Sequence, residues 1–463
     1  MPKYTRSALP SFAFWGIFIS LAAAFLMGGS SRADVQSLAL LNPMMILCTG
    51  IALLTLRVEH WREHKRFLIW FGSIYICVAF YYLPSPLKLM QFLQTDAGVD
   101  EIRNSSNLTT FGQLESSAFP SAWQSLIFLF TPMAVLLFAL QLKRAELGLV
   151  RHFLVFVGAL SAIICVLQLS GGTDNPLYLY SVTNNGSAVG FFANRNHSAV
   201  FLACLFPILA VFASDRTSYG LGGTTWYRYF ALILTLILVP LILVTGSRAG
   251  MFAAVVGLIG GALLYIPHIS SRDRSKNAKF IVPAVMLATI VCVVMITIFF
   301  SRAEAIERFF AETGYAKDRS DFWALSGQLF RQYYPFGFGP GSFSAAFQRD
   351  EPLSILDGVY LNRLHNDWLE TALTFGILGI VWLLGASIYF VYRSFQLWIL
   401  MDGTRSEVKI GRMSSVIIAI LAVASVFDYP LRTPAIMSLM VLALLWFVRS
   451  PYQSSHYQKG QGD

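Results

Sequence analysis

Charge is what this chain has least of. Only 13% of its 463 residues are Asp, Glu, Lys or Arg, half the usual share of about 25% in a soluble domain. No carboxylate cluster of the kind that holds magnesium can be drawn among the acidic residues. The five cysteines (Cys48, Cys77, Cys165, Cys204 and Cys292) lie in apolar runs without a CxxC spacing. That excludes a disulfide frame and a thiolate metal site. Of the histidines, His197 and His365 alone could pair on one face, and neither has a second His or Cys nearby. No metal and no cofactor are expected. The run Gly337-Phe338-Gly339-Pro340-Gly341 lacks the preceding strand and following helix of a dinucleotide loop. It reads as a turn that holds its loop against the membrane.

What is abundant is apolar. Hydrophobic residues make up 56% of the chain and come in blocks of about eighteen, the pattern of helices that pair their own backbone groups inside lipid. Spans are drawn at 11–29, 37–56, 67–83, 123–142, 153–170, 197–213, 229–246, 249–266, 280–300, 368–391, 413–427 and 433–449. The fold expected is all-α: a polytopic membrane protein with about twelve transmembrane helices. A large extracytoplasmic loop, 301–366, lies between helices nine and ten. The first span is expected to remain uncleaved.

Basic residues orient the bundle. About 21 of the 34 fall on the side holding both termini, which is therefore cytoplasmic. The net charge of +9 follows from that bias, so no nucleic acid partner is expected. Residues 84–122 are expected to lie along the membrane surface, and the tail 451–463 to be disordered. A division follows: 1–190 as N-terminal helices, 190–390 as the catalytic region, 391–450 as C-terminal helices, and then the tail.

Unusual polar residues gather at the opposite, outer face. Asn194, Arg195, Asn196 and His197 open span six, Ser247 and Arg248 sit in the tight link before span eight, and Asp428 and Arg432 sit in that before span twelve. Arg319 and His365 belong to the long loop. A lone arginine at a helix end can simply snorkel to the interface. Several converging on one face fit an anion better, because the guanidinium fork matches phosphate oxygens. Arg248 starts a helix, where free N–H groups add to its charge. Arg319 begins an amphipathic stretch with Phe322, Leu325 and Leu329 at helical spacing, expected to lie on the membrane and to end before Pro335. An ion pair with Asp318 or Asp321 is its alternative. His365, followed by Asn366 at the mouth of span ten, is either a general base or a capping histidine.

Five motifs in order resemble the O-antigen ligase and O-antigen polymerase family: GFFANRNHSAVFLA (190–203), TGSRAG (245–250), DRSDFW (318–323), GFGPGSF (337–343) and HNDWLETALTFGILG (365–379). These are inverting, GT-C-like glycosyltransferases of the bacterial inner membrane, with the active site facing the periplasm. The resemblance implies an undecaprenyl-diphosphate-linked oligosaccharide donor and a glycan or lipid A-core acceptor, without metal. Arg248 and Arg319 match the arginines that would hold the diphosphate. His365 matches the histidine that would orient or deprotonate the acceptor. Asn194, Arg195, Asn196, His197, Ser247, Asn366 and Arg432 are expected to contact substrate. The segment 428–434 is similar to members that polymerise exopolysaccharide, with ligation to lipid A-core as the alternative. A chain-length regulator or flippase would be a further partner. A twelve-span transporter would need a six-plus-six repeat and mid-membrane charges, whereas the sequence shows no internal repeat and its mid-span regions are nearly free of charge.

Overall fold

The computed structural model describes residues 11–80, 119–214, 224–272, 326–350 and 363–449, and every regular element among them is helical. Span nine at 280–300, Arg319 with its DRSDFW motif, and almost all of 84–122 lie outside the described residues, as do the tail and the N-terminal ten residues.

The α-helices that lie wholly among the described residues follow in chain order. They are α1 (Phe12–Met27), α2 (Leu38–Thr55), α3 (Val58–Phe80), α4 (Phe119–Phe128), α5 (Phe130–Leu140) and α6 (Arg144–Gly171). Then come α7 (Arg195–Ser214), α8 (Thr224–Val244), α9 (Arg248–Arg272), α10 (Phe343–Asp350), α11 (Asp367–Phe395), α12 (Ser406–Phe427) and α13 (Pro434–Arg449). Eight stretches are long and apolar enough to cross a membrane, and three shorter apolar helices lie at Phe12–Met27, Phe67–Ala79 and Pro434–Arg449. These eleven coincide with eleven of the expected spans. The chain is an all-α polytopic membrane protein.

The bundle is organised around α7, which is buried along almost its whole length. Helix α9 lies against it, and Gly250 and Gly257 make the fit possible. A Cβ on Gly250 would come within 2.3 Å of Ala199 Cβ, and one on Gly257 within 2.7 Å of the Ala203 carbonyl. In lipid, where apolar burial no longer drives association, such close backbone approach is what holds helices together. Phe252 of α9 stacks on Phe427 at the end of α12, with centroids 5.7 Å apart. The first turns of α7 and α9 and the last of α12 therefore share one end of the bundle.

The segment before α7 is fastened by one side chain. Gln168, fully buried, donates to the Leu177 and Gly190 carbonyls and accepts from Val189 N and Gly190 N. Gly29 N donates to the Tyr180 hydroxyl at 2.7 Å, and Ala193 N donates back to Gly29 O. At the opposite end Arg449 of α13 donates to His64 Nε2 at 2.9 Å and to the carbonyl of Leu140. It thereby joins α3, α5 and α13.

Helix α11 is broken at Gly376, whose φ of 54° is non-helical. The break leaves backbone groups that lipid cannot satisfy, and the GFGPG turn satisfies them. Phe338 N and Gly339 N donate to the Leu373 and Thr374 carbonyls at 3.2 and 2.9 Å, and Ile377 N donates to Pro335 O at 2.8 Å. A Cβ on Gly376 would lie 2.0 Å from the Pro335 carbonyl. The turn is thus locked to α11. Of the expected amphipathic stretch only 326–333 is described, and it is helical. Its Leu329 joins Phe338, Phe343, Phe347, Leu364 and Leu373 in a small separate core.

Candidate functional site

His365 sits between the small core and α11, with a φ of 56°. A non-glycine residue is rarely left-handed and pays about 1–2 kcal/mol to be so, so the surroundings must impose it. Glu370, one turn into α11, does this from one side: it accepts from Leu364 N at 3.1 Å and from Arg363 at 3.0 Å. From the other side Asn366 caps α11, its Oδ1 accepting from Leu369 N at 3.0 Å. The histidine is pinned by its neighbours.

Pinned this way, its ring meets Asp428 in the turn between α12 and α13. His365 Nδ1 lies 3.1 Å from Asp428 Oδ1, while Asn196 of α7 donates to Oδ2 at 2.7 Å. Asp428 is fully buried. Burial alone would favour its neutral form. The His365 hydrogen bond, the charges of both neighbouring histidines and the Asn196 amide outweigh it and hold the carboxyl below the usual carboxylate range. An ionised carboxylate only accepts, so His365 Nδ1 carries a proton, and whenever the ring is neutral Nε2 is the acceptor. Tyr429 lies edge-on to both imidazoles, with centroids 4.8 Å from His365 and 5.2 Å from His197.

The turn carrying Asp428 is itself held by acids of α11. Asp367 accepts from Arg432 Nε at 3.1 Å, from Leu431 N and from the Ser425 hydroxyl. Arg432 also lies 3.4 Å from Glu370. This network of two arginines and two carboxylates is buried except at Arg363 and Arg432, which are partly open.

Of the residues singled out in the sequence, His365, Asn196, His197, Asn366 and Arg432 therefore come together. Asn194 and Arg195 adjoin them at the start of α7: Asn194 Oδ1 accepts from Asn196 N, and Arg195 N donates to Asn184 Oδ1. Ser247 is buried and caps α9, its Oγ accepting from Gly250 N at 2.9 Å, and beside it Arg248 is exposed at the same end. Asp428, Asp367, Glu370, Arg363 and Tyr429 join them, although no role for these five was expected from the sequence. Their signal was present, because acids at span ends in so uncharged a chain are costly without a purpose.

Beside this cluster opens a cavity of about 1830 Å³ that follows α11. Ser31, Arg32, Arg363 and Arg432 line it at the His365 end, Phe71, Phe375, Trp382 and Met440 along its length, and Arg393 and Arg449 at the far end. Its lining runs from Asp367 to Arg393 along α11, so the cavity is long and largely apolar between two polar ends. Among the described residues no group of three or more His, Cys, Asp or Glu side chains is set to hold a metal ion.

A broken helix bearing a clamped histidine, beside an arginine-edged apolar channel, suits a lipid-borne anion. Residues 230–384 match the family model described as O-antigen ligase. The resemblance seen in the motifs is thereby borne out. The match is to a third of the chain and takes in Arg248, the GFGPG turn, His365 and the first half of α11. No curated protein matches the chain. With the O-antigen ligase family in view, the chain reads as a membrane enzyme of the ligase or polymerase type, a glycosyltransferase.

Proposed function

We propose that this protein transfers a glycan from undecaprenyl diphosphate to an acceptor hydroxyl, with inversion, at the outer face of the inner membrane. The observation that carries this reading is the His365–Asp428 pair, set among the N-termini of α7, α9 and α11 and flanked by Arg363 and Arg432, which line the apolar cavity. The acceptor hydroxyl lies against His365 Nε2. Its oxygen attacks the anomeric carbon, the bond to the diphosphate oxygen breaks, and the electron pair leaves with the diphosphate. The acceptor proton passes to Nε2 and from there to solvent. Asp428 stabilises the imidazolium, as a buried carboxylate does behind any histidine base. Arg248 and Arg319 hold the diphosphate as its charge grows, which lowers the barrier more than it tightens substrate binding. Asn194, Arg195 and the partly open Arg432 contact donor or acceptor, and the cavity takes a lipid chain.

The segment 428–434 supports polymerisation of repeat units into an exopolysaccharide or O-antigen. Ligation to lipid A-core is the second reading, favoured by the description of the matching family. A deletion strain complemented with His365→Ala separates them. Single-repeat lipid intermediates without long chains identify a polymerase. Long chains stranded on undecaprenyl diphosphate, with none on lipid A, identify a ligase. Wild-type pools of both would refute the transfer reading.

A further inference from the structure

His197 is an unusual residue to find where it is. It is 1% exposed, and among the described residues neither ring nitrogen has a hydrogen-bond partner. A side chain serving only to fill that space would be apolar, as those of Ala199, Val200 and Phe201 are. A buried imidazole with two idle nitrogens is retained at a cost. Its Nε2 lies 3.9 Å from Asp428 Oδ2. The other oxygen of that carboxylate is the one bonded to His365, and Tyr429 holds both rings edge-on.

We infer that His197 is a positioning residue, the second imidazole on Asp428, and that it sets how strongly this carboxylate holds the Nδ1 proton of His365. The inference rests on the transfer reading above. Asp428 has lone pairs to spare on Oδ2, so a shift of about 1 Å brings His197 within hydrogen-bond distance. A donor or partial positive charge there spreads the negative charge of Asp428 and loosens its hold on His365. Without it, the carboxylate favours the imidazolium, and His365 becomes a poorer base at low pH.

The other ionisable groups at this end are common to wild type and the His197 variants. From the α12–α13 turn these are Tyr429 and Arg432, and from the α11 side Arg363, Asp367 and Glu370. Arg195 comes from α7, Arg248 from α9 and Arg32 from the link after α1.

The test is a pH titration of ¹⁵N-histidine-labelled full-length protein in detergent, with the His365 signal assigned by its loss in His365→Gln. In His197→Phe the His365 midpoint should rise by about one pH unit, and the acid limb of kcat/KM with native lipid-linked glycan should move with it. In His197→Asn, which keeps an N–H donor, the rise should be less than half as large. His197→Leu serves if Phe does not fit. An unmoved midpoint in the apolar variants, with kcat lowered equally at every pH, overturns the inference and leaves a packing residue. A moved midpoint in a protein whose His365→Gln variant makes wild-type glycan keeps the coupling and overturns the transfer reading instead.

Discussion

Replacing Asp428 by Asn tests the centre of the site with the smallest change of shape. The new amide must turn its NH₂ toward one of two neighbours. Toward His365 it would force Nδ1 to accept, invert the tautomer and remove the base, a loss of about 10⁴ in turnover where such inversion occurs. Toward Asn196 it needs only that Asn196 rotate its own carboxamide, whose Oδ1 then accepts in place of the donor now 2.7 Å from Asp428. The second arrangement keeps every hydrogen bond and is the one expected. What is lost is charge: a bond to an ionised group is worth about 1.5–3 kcal/mol and a neutral one about 0.5–1.5. A deficit of about 1.5 kcal/mol in stabilising the imidazolium corresponds to roughly a tenfold fall in kcat. The assay is turnover of native lipid-linked glycan by purified protein, with elution and Tm compared with wild type. Turnover within twofold of wild type would refute the role given to Asp428. A fall near 10⁴ would mean that the amide had turned the other way.

Four further outcomes are expected. Burial, and then the Arg449 charge, push His64 down to about 4 from its usual 6.5. The fold thus gains from neutral His64 above about pH 6.5 and loses up to about 3 kcal/mol as pH falls toward 4. Tm should drop across that window in wild type and much less in His64→Gln, and equal slopes would contradict the assignment. Gly376→Ala must place a Cβ against the Pro335 carbonyl at positive φ, costing about 2 kcal/mol or more. Faster proteolysis of the 326–350 segment should report it, and an unchanged digestion rate would count against the docked turn. Glu370→Ala removes the carboxylate shared by Arg363 and Arg432, a loss of about 3 kcal/mol readable as lowered Tm together with lost transfer. Finally, excess chelator should leave the transfer rate unchanged, and a collapse restored by magnesium would sink the metal-free mechanism.

The spans were legible because hydropathy over a bilayer's width is a local property, and eleven of the twelve stretches recur as apolar helices. His365, Arg248 and the opening of α7 were legible because polar residues stand out in so uncharged a chain. The pairing of His365 with Asp428 across 63 residues was not, nor that of Asn196 with Asp428 across 232. Nothing local in either segment names its partner. The break in α11 was hidden for a different reason. Thr374-Phe375-Gly376-Ile377 keeps the apolar average of a continuous helix, and only the docking of a distant turn makes Gly376 non-helical. Asn366 and Ser247, expected to contact substrate, also cap α11 and α9 with their side chains, a use that sequence alone does not separate from binding.

The break at Gly376 bears on how such chains can be recombined. The turn at 335–339 and the first three helical turns of α11 share three backbone hydrogen bonds, so neither half keeps its shape when the other is exchanged. A chimaera that swaps the loop and stops at residue 366 would carry two unmatched surfaces into the membrane. A cut placed after Ile377 would move the loop, the histidine and its helix together as one inheritable cassette.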